Sequence, residues 1–367
     1  MKHAFLVRAL PRCASRGQTS GAAHPLCVAA ALAICFVAGA HGTDTFSAHD
    51  TPFPPSPDPA PHAAFAQAFR SVAWTPEPFE VVAEPAHRPD ASPLVRAVRF
   101  PSAHGSDDPR LATVTARWFV ADGREQPPAP RPAVVLVHTL HPQTPLTELL
   151  ATAIARRGVH AVLVHLPGYG LRSRLPGGPD NADWPGVVAL RHAARGVADV
   201  RRACDAAAAL PGIDPNRVVL QGSSLGSFPA AVAAGLDARR HALLLLLGGG
   251  HALDAIEHGR KDAARFRQTL ERSGIDAEQR ARLIAPLEPL NVAHRLDPAT
   301  TWLLAARNDT VIPPRNAQAF ADAVGLTSQR FVRLSGNHYT ASFALPAVAD
   351  LLVRIAESDA PAQLEAP

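Results

Sequence analysis

From Arg217 to Leu236 the chain reads RVVLQGSSLGSFPAAVAAGL, passing from a β-branched apolar run through Gly222-Ser223-Ser224-Leu225-Gly226 into an alanine-rich helix former. A strand that turns this sharply into a helix needs glycine on both sides of the turn, because side chains there would collide with the two elements. The serine between them is left in strained backbone, with its hydroxyl clear of the sheet edge. Ser224 has glycine at both minus two and plus two, which makes it the candidate nucleophile, with Ser223 as the neighbouring alternative. The helix N-terminus behind the turn favours negative charge.

The rest of the chain agrees with a strand–turn–helix unit of this kind. From Ala133 onward, short apolar runs alternate with helical periodicity, the pattern of a mostly parallel sheet covered on both faces by helices. Strands are predicted at 133–137, 159–166, 217–221, 242–247, 301–305 and 330–334. Helices are predicted where Leu146, Leu149, Leu150, Ala153 and Ile154 share one face, with Gly158 as the stop, and at 187–210, 225–236 and 348–356. Upstream, apolar stretches at 79–82, 94–100 and 111–120 predict three early strands. The interval between the strands ending at Leu247 and starting near Thr301 is far longer than a simple crossover needs. Helices are expected there around Ala263, Phe266 and Leu270 and at 277–284, so residues 251–298 read either as a lid or as a surface insertion.

Composition excludes some functions. The formal charge of +4 is supplied by Lys2, Arg8, Arg12 and Arg16, all ahead of the first acid, Asp44; the remainder is neutral and offers no basic patch for nucleic acid. Those basic residues precede the apolar run 26–40, which ends in Ala38-Gly39-Ala40, so residues 1–40 read as an export signal and the chain as periplasmic or secreted. The run is shorter than the roughly twenty residues of a membrane span, so membrane contact is expected only if the leader stays uncleaved. Ile34 before Cys35 is too bulky for a lipoprotein cleavage site. Three of the four cysteines lie in this leader; Cys204 alone would stay in the mature chain, at an apolar helix position with Val197 and Val200. The stretch TPFPPSPDPAP at 51–61 reads as a stiff proline spacer, giving a linker over 41–61, a domain over 62–360 and a disordered tail over 361–367.

A serine hydroxyl needs a base, and the base an orienting acid. His338 follows the predicted strand FVRL in a short glycine-containing loop, and Asp309 follows TWLLA in ARNDTVIP. Ser224, Asp309 and His338 thus each stand just beyond the C-terminal end of a predicted strand.

With this order in place, the chain over 72–356 resembles the α/β-hydrolase superfamily, and within it the serine esterases and the dienelactone-hydrolase-like and acetyl-esterase-like branches. Residues 163–173, LVHLPGYGLRS, are similar to a loop of that family in which aspartate is common where His165 stands. The resemblance implies an α/β-hydrolase fold and an oxyanion hole built from the N–H of Leu225 and a second N–H from the loop after 134–137. That loop reads His138-Thr139-Leu140-His141-Pro142 where the family commonly has His-Gly, so the second donor falls to Leu140 or Thr139. The expected activity is cleavage of a small-molecule carboxylic ester through an acyl-enzyme. A peptidase, an acyltransferase or a catalytically silent binding protein on the same fold are the alternatives.

No cofactor is implied. The seventeen histidines include no H-E-x-x-H and no cysteine–histidine cluster of zinc spacing, so no metal is expected. Gly248-Gly249-Gly250 has neither nucleotide-loop pattern and reads as room at a strand end, Trp184 and Tyr169 as pocket lining or packing, and His251 and His258 as solvated.

Overall fold

The strands that read as unbroken apolar runs are the middle of a sheet and are buried on both sides. In the computed structural model, which describes residues 42–54, 63–87, 93–123, 129–141, 144–173, 184–237 and 242–359, ten strands form a single sheet. They are β1 (Asp44–His49), β2 (Pro78–Ala83), β3 (Val95–Pro101), β4 (Thr113–Phe119), β5 (Arg131–Val137), β6 (His160–Val164), β7 (Ile213–Ser223), β8 (Ala242–Leu246), β9 (Thr301–Ala306) and β10 (Phe331–Leu334). Their order is β1-β2-β3-β4-β6-β5-β7-β8-β9-β10, antiparallel from β1 to β6 and parallel from β6 to β10. This mostly parallel architecture is the expected one.

Alternation along the central strands sends successive residues to opposite faces. Val135, Val137, Leu243 and Leu245 join the core on one face, and Val134, Leu136, Leu244 and Leu246 that on the other. The helices are α1 (Ala63–Val72), the single turn α2 (Pro109–Ala112), α3 (Pro145–Ala155), α4 (Pro185–Arg191), α5 (Ala193–Ala208), α6 (Ser227–Leu236), α7 (Ala252–His258), α8 (Asp262–Arg272), α9 (Ala277–Ile284), α10 (Pro314–Val324) and α11 (Leu345–Glu357). The apolar side chains of α3 and α11 fill one core, and those of α1, α5 and α6 the other. Two periodic helices, α1 and α10, were not foreseen. The expected helix 187–210 is broken at His192 (φ −114°, ψ 34°), because α5 packs along β7 while α4 turns towards α8 and α9.

The expected linker over 41–61 needs correction. Residues 44–49 form the edge strand β1, paired with β2 from Asp44↔Ala83 to His49↔Pro78. Beyond it, Asp50 is buried and the Thr51 hydroxyl donates to Asp205 Oδ1 at 2.7 Å. The proline-rich composition hid this because buried charged partners, not apolar periodicity, hold the segment in place. The expected leader (1–40), the tail (361–367) and residues 55–61 of the proline run lie outside the described residues.

Chain order creates the crevice that matters. From β5 the chain passes through α3 to β6 on one side, then through α4 and α5 to β7 on the other, so β5 and β7 diverge at their C-terminal ends, the usual place for a site in an open α/β sheet. Val137 pairs with Gly222 there, which brings the turn at Ser224 beside the loop that starts at His138.

Candidate active site

Ser224 sits between β7 and α6 with φ at +50°, in the left-handed region, whereas Ser223 is extended at φ −116°. A Cβ on Gly222 would come within 2.4 Å of the Gly226 carbonyl, and one on Gly226 within 2.4 Å of the Val137 carbonyl. Both glycines are therefore required by close backbone approach, as the spacing predicts. The Ser227 hydroxyl donates to the Ser224 carbonyl at 2.6 Å and stabilises the turn. The neighbouring Ser223 hydroxyl accepts from Gln221 Nε2 at 2.8 Å.

That relay is continuous. Ser224 Oγ lies 2.9 Å from His338 Nε2, and His338 Nδ1 lies 2.7 Å from Asp309 Oδ2. The other carboxylate oxygen of Asp309 accepts from the N–H groups of Val311 (2.8 Å) and Ile312 (3.0 Å), which holds the buried acid in one rotamer. A carboxylate only accepts, so Nδ1 carries the imidazole proton and Nε2 is free to accept from the serine. Gly336 (φ +97°) and the Asn337 side chain, which accepts from the N–H groups of Tyr339 and Thr340, shape the His338 loop. The structure thus brings together the three residues picked out by order and strand position.

In the loop after β5, His138 is fully buried and its Nε2 accepts from the Leu166 N–H at 3.2 Å. Its proton is therefore on Nδ1, which donates to the Thr139 carbonyl at 2.7 Å. Burial pushes the His138 pKa down to about 4, so the ring is neutral. The hydroxyl of buried Tyr169 donates to the Leu140 carbonyl at 3.1 Å, and its ring lies 4.3 Å from that of His138. These two hydrogen bonds have no trace in the motif. Thr139 and Leu140 N–H groups have no acceptor among the described residues. His165 is buried against the Thr115 hydroxyl, and Arg172 donates to its carbonyl, so the residue that stands in place of aspartate is anchored within this loop.

Two cavities open on Ser224. One, of about 80 Å³, is walled by α4–α9, and among its lining residues Ser224 alone carries a polar side chain. The other, of about 340 Å³, contains His338, Tyr339, Thr139, His141 and Asp262 beside Leu146 and Leu345. Leu140 borders both. Residues of the expected insertion 251–298, Ile256, Phe266 and Ile284 among them, wall the apolar cavity, and Asp262 accepts from the Tyr339 hydroxyl at 2.9 Å. The insertion therefore borders the site. Trp184 packs 5.5 Å from Phe266. Gly248-Gly250 makes no room: Gly249 lies against the Asn316 backbone. Among the described residues no group of three or more histidine, cysteine or acidic residues could hold a metal ion.

No family model matches the chain, and no curated protein matches it in sequence. Solved structures do. An acetyl xylan esterase from Paenibacillus sp. R4 is 18% identical, with 82% of this chain and 96% of that one covered at a TM-score of 0.57. A Mycobacterium tuberculosis puromycin-hydrolyzing peptidase is 17% identical, with 76% of this chain and 46% of that one covered at 0.51. A 2,6-dihydroxy-pseudo-oxynicotine hydrolase is 16% identical, with 70% and 68% covered at 0.50. With its strand order, the turn at Ser224 and these likenesses, the protein is an α/β-hydrolase in fold.

Proposed function

We propose that the protein is a serine hydrolase that cleaves a carboxylic ester through an acyl-enzyme. The observation that carries this reading is the relay Ser224–His338–Asp309, with hydrogen bonds of 2.9 and 2.7 Å, on a serine in a left-handed turn at the crevice. His338 Nε2 takes the Ser224 proton as Oγ bonds to the ester carbonyl carbon, and Asp309 holds the resulting imidazolium in place. The tetrahedral oxyanion is held by the N–H of Leu225 and, from the loop after β5, by that of Leu140. The choice of Leu140 over Thr139 rests on peptide geometry: the Thr139 carbonyl is tied to His138, and the N–H of the same trans peptide, that of Leu140, points the other way. Collapse breaks the bond from carbonyl carbon to alkoxy oxygen, and His338 returns the proton to the departing alcohol. Water then cleaves the acyl-enzyme by the same route.

Labelling with a fluorophosphonate probe tests this. The wild type is expected to be modified at Ser224 and Ser224→Ala to be inert to the probe and to p-nitrophenyl esters; full labelling of the alanine variant would move the nucleophile elsewhere. A wild type that takes no label would point to the silent binding protein, and preference for amides or for alcohol acceptors would point to a peptidase or an acyltransferase.

A further inference from the structure

We infer that the apolar cavity behind Ser224 receives the acyl chain of the ester, so that the substrates are esters of hydrocarbon-chain acids whose alcohol part lodges in the larger cleft beside His338. This rests on the serine-hydrolase reading and adds the substrate class to it.

The assignment of the two sides follows from where the proton goes. The base that takes the serine proton gives it back to the leaving oxygen, so the alcohol must lie within reach of His338. His338 lines the larger cleft and takes no part in the apolar cavity, whereas Ser224 lines both. A carbonyl carbon bonded to Ser224 Oγ therefore has its alkoxy side in the cleft, and its acyl side is left to the cavity.

The chemistry of the walls agrees with this division. Leu190, Phe228, Ile256, Phe266, Ile284 and Leu287 surround the cavity and offer no hydrogen-bond partner to a polar acyl group, which would lose its hydration on entry without compensation. A hydrocarbon chain gains there from burial alone. The cleft is also largely apolar, with Leu146, Leu150, Leu247 and Leu345 in its wall, but it adds the hydrogen-bonding side chains of Thr139, His141, Asp262, Tyr339 and Ser342, which can pair the polar atoms of an alcohol. Ile256, Phe266 and Ile284 come from the long interval between β8 and β9, so this insertion sets acyl selectivity. Phe266 is braced by the Trp184 ring at 5.5 Å.

A series of p-nitrophenyl esters from acetate through butanoate, hexanoate and octanoate to dodecanoate tests the inference on the wild type. Expected is a kcat/KM that climbs by up to about fourfold for each methylene the cavity accepts, the factor that corresponds to burying one CH₂, and falls once the chain overruns the walls. Phe266→Ala should move the optimum to a longer chain, and Ile256→Trp should lower the ratio of hexanoate to acetate turnover at least tenfold. Asp262→Asn, on the cleft side, should change KM between esters of different alcohols and leave the acyl optimum where it is. A wild-type profile that is flat or highest for acetate would overturn the inference without recourse to any variant. So would an acyl optimum that moves with Asp262→Asn but not with Phe266→Ala. Fluorophosphonate labelling of the same preparation separates the two levels: a labelled Ser224 with a flat profile sinks only the acyl assignment, and an unlabelled wild type sinks the hydrolase reading beneath it.

Discussion

Thr139 stands where the resemblance leads one to expect glycine, and the backbone of Leu140 directly after it is held by two side chains. His138 anchors the carbonyl of the peptide before Leu140 and Tyr169 that of the peptide after it, so both soft dihedrals of Leu140 are determined. Burial pushes the Tyr169 pKa up, so its hydroxyl stays protonated and a donor. Tyr169→Phe keeps the buried ring and frees the Leu140 carbonyl; kcat for p-nitrophenyl esters is expected to fall about tenfold, a barrier increase of about 1.4 kcal/mol, with KM nearly unchanged. Steady-state kinetics checks this, and an unchanged kcat would mean that the loop holds its shape without the hydroxyl. Ser224, Asp309 and His338 were legible because each is marked by local features: glycines at fixed offsets, or a loop directly after an apolar strand. Tyr169 was not, because a tyrosine that lines a pocket and one that braces a loop look alike in sequence.

At the scale of elements, the least legible part was the join between β1 and α5. Helix α5 is buried almost all round, including Asp199, Arg201, Arg202 and Asp205, so its charged residues do not mark a solvent face. Asp50 receives Arg202 Nε at 2.9 Å and Trp74 Nε1 at 2.7 Å, and Arg202 is buried over the Phe79 ring at 4.8 Å. Arg202 Nη2 also lies 3.3 Å from Glu77 Oε1, a solvent-exposed carboxylate, so removing Asp50 leaves the buried guanidinium with this screened counter-ion, at a cost of about 3 kcal/mol, the lower end for a broken buried pair. Asp50→Ala is therefore expected to lower unfolding stability by that amount, as read by urea denaturation; a loss below about 1 kcal/mol would show that the segment through β1 is dispensable. Helices α1 and α10 belong to the opposite class. Phe65, Ala68 and Val72 in the one, and Ala317, Phe320, Ala321 and Val324 in the other, carry the 3.6-residue period openly.

For the whole molecule, three histidines packed into the fold set a pH limit on stability. Desolvation by burial lowers the pKa of His138 and His160 to about 4 and of His165 to about 3, from 6.5. His160 Nδ1 accepts from Trp118 Nε1 and from the Ala121 N–H, a role it can fill only without a proton there. The unfolded chain takes up a proton on each ring as pH falls through about 6.5, whereas the folded chain does so only near 4 or below. Stability from these groups is thus fully present above about 6.5 and is lost as pH falls towards 4, at up to about 1.4 kcal/mol per pH unit for each ring. Thermal melts between pH 7 and pH 4.5 should show Tm dropping steadily; a constant Tm would contradict the burial of neutral rings.

What the sequence determined by itself was local in origin. The period of apolar residues specified the central strands and most helices, the glycine spacing specified the turn at Ser224, and chain order put Asp309 and His338 at strand ends. Each of these signals is written in residues a few positions apart, where backbone sterics and side-chain direction act directly. Only the tertiary structure decided which face of α5 meets charge, what holds Leu140, and that the insertion after β8 forms the wall of a cavity at Ser224. Those outcomes join residues as distant as Asp50 and Arg202, 152 positions apart. Such pairs leave no periodic trace, because their geometry exists only once the sheet has brought the segments together.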